Sequence, residues 1–197
     1  MKHCSNINCD LFFKFNTPNA SFCNINVSFH VWLVILGPRI PRKNHYFTTI
    51  RTLPRGWRVW VEIMPLGTQK GWSNILHATI GGNLRRYGDR TPGIWFRPGS
   101  TRLHICSPVN GNKNFCFDTR RSLPLNKYTK VAVMQTQVGN SYNYMYRVFI
   151  NNKLVYKVLN KKAGVFRNVK YFLGDPWHAA ANAKIKDLAV TLYQQRG

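Results

Sequence analysis

Tyr144, Tyr146, Val148 and Ile150 share one parity while Asn143, Met145 and Arg147 share the other. In an extended chain that alternation turns one face toward a core and the other toward solvent. Asn151-Asn152 follows, a pair that tolerates the positive φ of a tight two-residue turn, and Leu154, Val155, Tyr156 and Val158 resume an extended pattern. The stretch predicts a β-hairpin with one buried face.

The rest of the chain repeats the pattern. Trp57, Val59, Val61 and Ile63 alternate with Arg58, Trp60 and Glu62 between Pro54 and Pro65. Ile75 to Ile80 and Gly93 to Arg97 read as further short strands, joined through turn residues from Gly81 to Gly93. Asn126 to Gln137 places Val131 and Val133 on one parity. No helical segment of length, repeat or linker interrupts residues 45 to 193, and short strands between Gly, Pro and Asn turns argue for an all-β antiparallel sandwich with at most one short helix.

Two runs near the C-terminus carry a resemblance. The YxVxINxxxVxxVxN run is followed by VFRNVKYFLGDPWHAAANAKIKDLAV, with Phe166, Asn168, Val169, Tyr171, Asp175, Pro176 and Trp177, then Ile185, Leu188 and Val190. This resembles the C-terminal half of laminin-G-like, concanavalin A-like lectin/glucanase domains, over roughly residues 45 to 193. The resemblance implies an antiparallel jelly-roll β-sandwich and speaks more to fold than to ligand. Asp187 stands where the family usually has Asn, read as a small change in a turn. Gly88-Asp89-Arg90 with Pro92 looks like a structural signature of the family.

Residues 1–44 differ from the domain of 45–197 and read as a poorly defined extension. Their apolar run Val31-Trp32-Leu33-Val34-Ile35-Leu36 is too short to span a bilayer. No secretory leader is evident, which leaves a leader displaced by a wrong start codon, an extra strand packed on the domain, or a loosely ordered appendage. Asn19 and Asn26 fit the N-glycosylation pattern, which matters only in a secreted context. Five cysteines, Cys4, Cys9, Cys23, Cys106 and Cys116, show no zinc-ligand spacing. If Gly111 is the tip of a hairpin, Cys106 and Cys116 face each other within bridging distance, and a disulfide or two free buried thiols are both open.

Twenty-nine Lys and Arg stand against six Asp and Glu, a formal net charge of +23. Such an excess cannot be neutralised internally. Nucleic acid, acidic polysaccharide or an anionic surface each satisfies the charge, while a purely solubilising surface is the plain alternative. Arg85, Arg86, Arg120 and Arg121 are the polyanion-binding candidates within basic residues spread over loops and outward strand positions. No recognised nucleic-acid motif accompanies them.

A glycosidase needs two carboxylates near each other, and Asp10, Glu62, Asp89, Asp118, Asp175 and Asp187 show no such spacing. No nucleophile elbow, zinc-protease helix or phosphate loop occurs. The expectation is therefore no enzyme, no metal and no cofactor. Flat aromatic faces and planar hydrogen-bonding groups that suit sugars cluster at Asn74, His77, Asp89, Arg90, Trp95 and Arg97, near Trp72 and His104. Each has a structural alternative: Trp95 as core, His77 as a satisfied histidine, Asp89 as a turn former, and Trp177 as the residue closing one end of the sandwich. The function expected is extracellular, non-catalytic recognition of acidic or sulfated glycans. An adhesion domain with a protein partner comes next, then nucleic-acid binding or glycoside hydrolysis.

Overall fold

The computed structural model describes residues 27–35 and 37–195. Thirteen strands follow in order: β1 (Val27–Ile35), β2 (Tyr46–Leu53), β3 (Gly56–Pro65), β4 (Ser73–Thr79), β5 (Gly93–Phe96), β6 (Leu103–Val109), β7 (Asn112–Asp118), β8 (Thr129–Gln137), β9 (Tyr144–Ile150), β10 (Lys153–Asn160), β11 (Phe166–Phe172), β12 (Ala179–Ala180) and β13 (Ala183–Gln195). No helix occurs among the described residues, so none is long and apolar enough to cross a membrane.

The strands form two sheets, one ordered β1-β13-β3-β8-β9-β10 and the other β2-β11-β4-β5-β6-β7. Neighbours along both paths are antiparallel, and the short β12 pairs parallel with β4. Trp57, Val59, Val61 and Ile63 of β3, with Val131 and Val133 of β8 and Tyr146 and Val148 of β9, meet Leu76, Ile94, Phe96, Leu103 and Ile105 of the other sheet in one buried core. These are the positions that the alternation assigns to the inner face. The result is the concanavalin A-like jelly-roll sandwich expected from the resemblance.

Turn chemistry fixes the registers. Asn151 and Asn152 join β9 to β10 with φ of 48° and 64°, and Asn110 and Gly111 join β6 to β7 with 53° and 83°. Paired positive φ values match the twist of a two-residue hairpin, which is why Asn and Gly occupy them. The second turn brings Cys106 opposite Cys116, and the two are disulfide-bonded with Cα atoms 4.1 Å apart. Of the two readings open for this pair, the bridge is the one formed.

Two expectations need correction, and one open reading is taken up. Asp187 lies inside β13, where the register against β3 shifts between Lys186 and Ala189, and its φ of 50° marks a bulge and not a turn. Asn and Asp are the side chains that tolerate this conformation, so the exchange is conservative. Trp177 does not close the sandwich: it is 41% exposed and leans on His77 and Phe172 from outside. Residues Val27–Ile35 of the extension form edge strand β1 against β13. Cys4, Cys9, Cys23, Asn19 and Asn26 lie outside the described residues.

Candidate functional site

Strands β5 to β7 alternate core residues with Trp95, His104 and Asp118, and β4, whose register against β5 shifts between Asn74 and Leu76, adds Asn74 and His77; these five stand on the face turned away from the core. Two loops close over much of that face, residues 80–92 after β4 and 173–178 after β11. Gly93 makes room for the Trp95 ring, since a Cβ there would lie 2.0 Å from an indole carbon. Trp95 is consequently buried outside the core proper, with the Arg90 guanidinium 4.7 Å above its ring.

Beneath the loops, polar groups satisfy one another. His77 is fully buried, its Nε2 2.6 Å from the Asp89 carbonyl and its Nδ1 2.8 Å from Asp175 Oδ2. A carbonyl only accepts, so Nε2 carries a hydrogen, and an ionised Asp175 asks the same of Nδ1. Asp175 Oδ1 accepts the backbone N–H groups of Trp177 and His178 at 3.0 and 2.7 Å. Burial pushes the Asp175 carboxyl upward, but hydrogen bonds from His178 and His77, with their charges, prevail and hold it well below the usual carboxylate range. Asn74 accepts the Asp175 N–H and donates to the Leu76 and Ile94 carbonyls. The His178 Nδ1 lies within 3.0 Å of both Asp175 oxygens and 3.3 Å from Trp95 Nε1, and carboxylate and indole N–H ask opposite protonation of that nitrogen.

The other predicted residues brace the first loop. Asp89 accepts the Gly82 and Arg86 N–H groups, and Arg90 reaches Asn83 and the Asn114 side chain of β7. Asn74, His77, Asp89 and Trp95 are thus brought together, but they are buried, with their polar groups and ring face engaged inside the protein. Their combination of planar donors with aromatic rings serves a buried network equally well.

What remains open is a rim. Trp72, 38% exposed, has its ring centroid 4.6 Å from that of His104 and carries the Arg97 guanidinium at 5.8 Å. Arg97 and His104 share Asp118, one carboxylate oxygen each. Partial burial pulls the His104 imidazole below its ordinary range, against the opposing pull of Asp118 and with help from Arg90 and Arg97. Arg97 alone among the six predicted sugar-site residues reaches this surface. The sequence marked Trp72 as part of the cluster but offered no sign that Trp72, and not Trp95, would be the exposed ring.

The four polyanion candidates are exposed but not neighbours. Arg85 and Arg86 lie in the loop after β4, beside Lys113 at the start of β7, while Arg120 and Arg121 follow the end of that strand. The strand between them is about 20 Å long at about 3.4 Å per residue. Among the described residues the ion pairs of Lys and Arg are those of Arg97 with Asp118 and of Lys186 with Glu62 and Asp187. His104, Cys106 and Cys116 place three potential metal-ligand atoms within 4.8 Å of one another, but the bridge uses both sulfurs.

No family model and no curated protein matches this sequence. Among solved structures, the Trypanosoma rangeli sialidase is similar at 13% identity with a TM-score of 0.50, over 72% of this chain and 21% of that one. This likeness is of fold alone. The chain thus spans about a fifth of the sialidase. A SAP-like pentraxin from Limulus polyphemus is similar at 14% identity and a TM-score of 0.49, over 86% of this chain and 77% of that one. An endo-beta-1,4-glucuronan lyase from Trichoderma reesei shows 11% identity and 0.49, over 85% and 88%.

Proposed function

We propose that the protein is a non-catalytic recognition module for acidic carbohydrate, sulfated polysaccharide foremost. The observation that carries this reading is the fate of the carboxylates. Asp89 and Asp175 are buried in the network, Asp118 is taken by Arg97 and His104, and Glu62 and Asp187 are within reach of Lys186. Among the described residues most Lys and Arg are therefore left without a carboxylate partner, and an external polyanion gains by displacing the counterions they would otherwise hold.

Two features favour polysaccharide over nucleic acid. The Cys106–Cys116 bridge belongs to an oxidising compartment, where extracellular glycans are met. The exposed Trp72 face beside Arg97 supplies an apolar platform next to a cation, which suits a sugar ring bearing an acidic group. A non-catalytic role is favoured because Asp118 is the carboxylate at this rim, whereas glycosidic cleavage by the usual route needs two.

Isothermal titration with heparin, and with the same heparin chemically desulfated, tests the reading at physiological salt. Binding to heparin at least tenfold tighter is the expected result. Equal affinity for both, or none for heparin, would reject it.

A further inference from the structure

Three loops distant in sequence meet at one end of the sandwich. The loop after β4 is joined to β7 by Lys113 Nζ, which donates to the Arg85 carbonyl at 3.1 Å. The same loop is joined to the β10–β11 connection by Tyr87, whose hydroxyl donates to the Lys162 carbonyl at 2.7 Å. The β6–β7 turn is joined to that connection in turn: Asn110 Oδ1 accepts the Lys161 N–H at 2.7 Å, and Asn110 Nδ2 donates to the Leu159 carbonyl at 2.8 Å. Gly111, at the tip of the turn, leaves space into which the Lys162 side chain lies; a Cβ there would sit 3.4 Å from Lys162 Cδ. Arg55 of the β2–β3 turn completes the ring, with Nε donating to the Ala163 carbonyl at 3.2 Å.

The consequence is a concentration of cations. Arg55, Arg85, Arg86, Lys113, Lys161 and Lys162 are all exposed, and among the described residues none is in an ion pair. The adjacent carboxylate, Asp89, is turned inward onto the Gly82 and Arg86 amides. The hydrogen bonds that hold this end together run largely to backbone carbonyls, so positive groups are drawn together with no negative side chain between them. Like charges this close repel one another, and a bound polyanion relieves that repulsion as well as releasing counterions. The loops are tied at both ends by named bonds, so a ligand meets a site already assembled.

We infer that this three-loop end, built on Arg85, Arg86, Lys113, Lys161 and Lys162, is the anchoring site for a sulfated polysaccharide chain. The inference rests on the proposed function and assigns that function a place. It also sets Arg120 and Arg121, at the far end of β7, outside the anchor. Tyr87, the ring held within the cluster, is half-buried with its hydroxyl committed, so it offers no open face on which a base could stack, and this favours sulfated glycan over single-stranded nucleic acid at these cations.

The test compares two variants of equal charge. Arg85→Ser, Arg86→Ser, Lys113→Ser, Lys161→Ser and Lys162→Ser together remove five charges, from +23 to +18. Arg42→Ser, Lys43→Ser, Lys70→Ser and Lys127→Ser, exposed in loops or turns of the opposite end, with Lys153→Ser at the exposed first residue of β10 there, remove five as well. Heparin affinity is measured from low to moderate salt for both and for the wild type, with folding checked by the thermal midpoint and by recovery of the Cys106–Cys116 peptide. The cluster variant should lose about three to five from the slope of log affinity against log salt, near one per lost contact, and at least a hundredfold in affinity at low salt. The opposite-end variant should stay within about fivefold, the size of a screened long-range effect.

Equal losses would overturn the site while leaving polyanion binding in place, and failure of the wild type to bind would overturn both. Displacement of heparin by duplex or single-stranded DNA at lower charge concentration than by free heparin would overturn the ligand class. If the five-fold cluster variant does not fold, Arg86→Ser with Lys161→Ser carries the same comparison against Lys70→Ser with Lys127→Ser.

Discussion

Asp175 gathers more of the outer-face network than any other residue, holding His77, His178 and two backbone amides in a space closed to solvent. Asp175→Asn removes the charge that His77 faces and replaces an acceptor by a donor, and breaking a buried pair from one side costs about 3 to 5 kcal/mol. Urea unfolding at neutral pH should show a loss of that size, with little change in slope if the core is untouched. The same carboxylate sets an acid limit. Its folded-state affinity for protons is depressed, so its stabilisation is full above the unfolded carboxyl range of about 4 and is lost as pH falls below it. His104 adds to this at milder acidity: its folded form resists protonation, so the unfolded chain takes up the proton first below about pH 6.5 and stability falls there too. The thermal midpoint should decline from pH 7 to 5 and more steeply below 4, and His104→Gln should remove part of the first decline. A midpoint that rises on acidification would contradict both signs. Asn74 and His77 show where sequence reading reaches its limit. Both look like sugar ligands, yet what buries them is a loop whose Asp175 lies 98 residues beyond His77.

At the scale of strands, most of the fold was legible because local chemistry and global pattern agree. The parity of Tyr144, Tyr146 and Val148, the Asn151-Asn152 turn and the Trp57–Ile63 alternation each point to the inner face that the sandwich buries. The facing of Cys106 and Cys116 followed from the Asn110-Gly111 turn, since register is set by turn geometry. Less legible were features that break the two-residue period: the bulge at Asp187, and the left-handed backbone of Asn168 within β11. Gly93 is the point where strand and site meet. Gly93→Ala would drive a methyl group into the Trp95 ring and force the indole out, an overpacking that costs about 1 to 3 kcal/mol. The tryptophan emission should shift to the red and heparin affinity should hold within about twofold, because the three-loop cations are untouched. A wild-type emission spectrum in this variant would show that the ring is not packed as described.

For the molecule as a whole, the sequence disclosed the excess charge but not its arrangement. Arg85, Arg86, Arg120 and Arg121 were all visible as loop arginines, and only the sandwich separates them to opposite ends while bringing Lys113, Lys161 and Lys162 to the first pair. In this sandwich the described carboxylates lie in ion pairs or buried loops while most of the described Lys and Arg have no carboxylate partner, and the proposed affinity for polyanions rests on that arrangement. The most direct measurement is the affinity of the intact protein for a heparin chain as a function of salt between about 50 and 500 mM. With several cations engaged, the log–log plot should be linear with a slope near −4 to −6, a loss of at least about ten thousandfold across that range. A slope near zero, with affinity unchanged by salt, would contradict it.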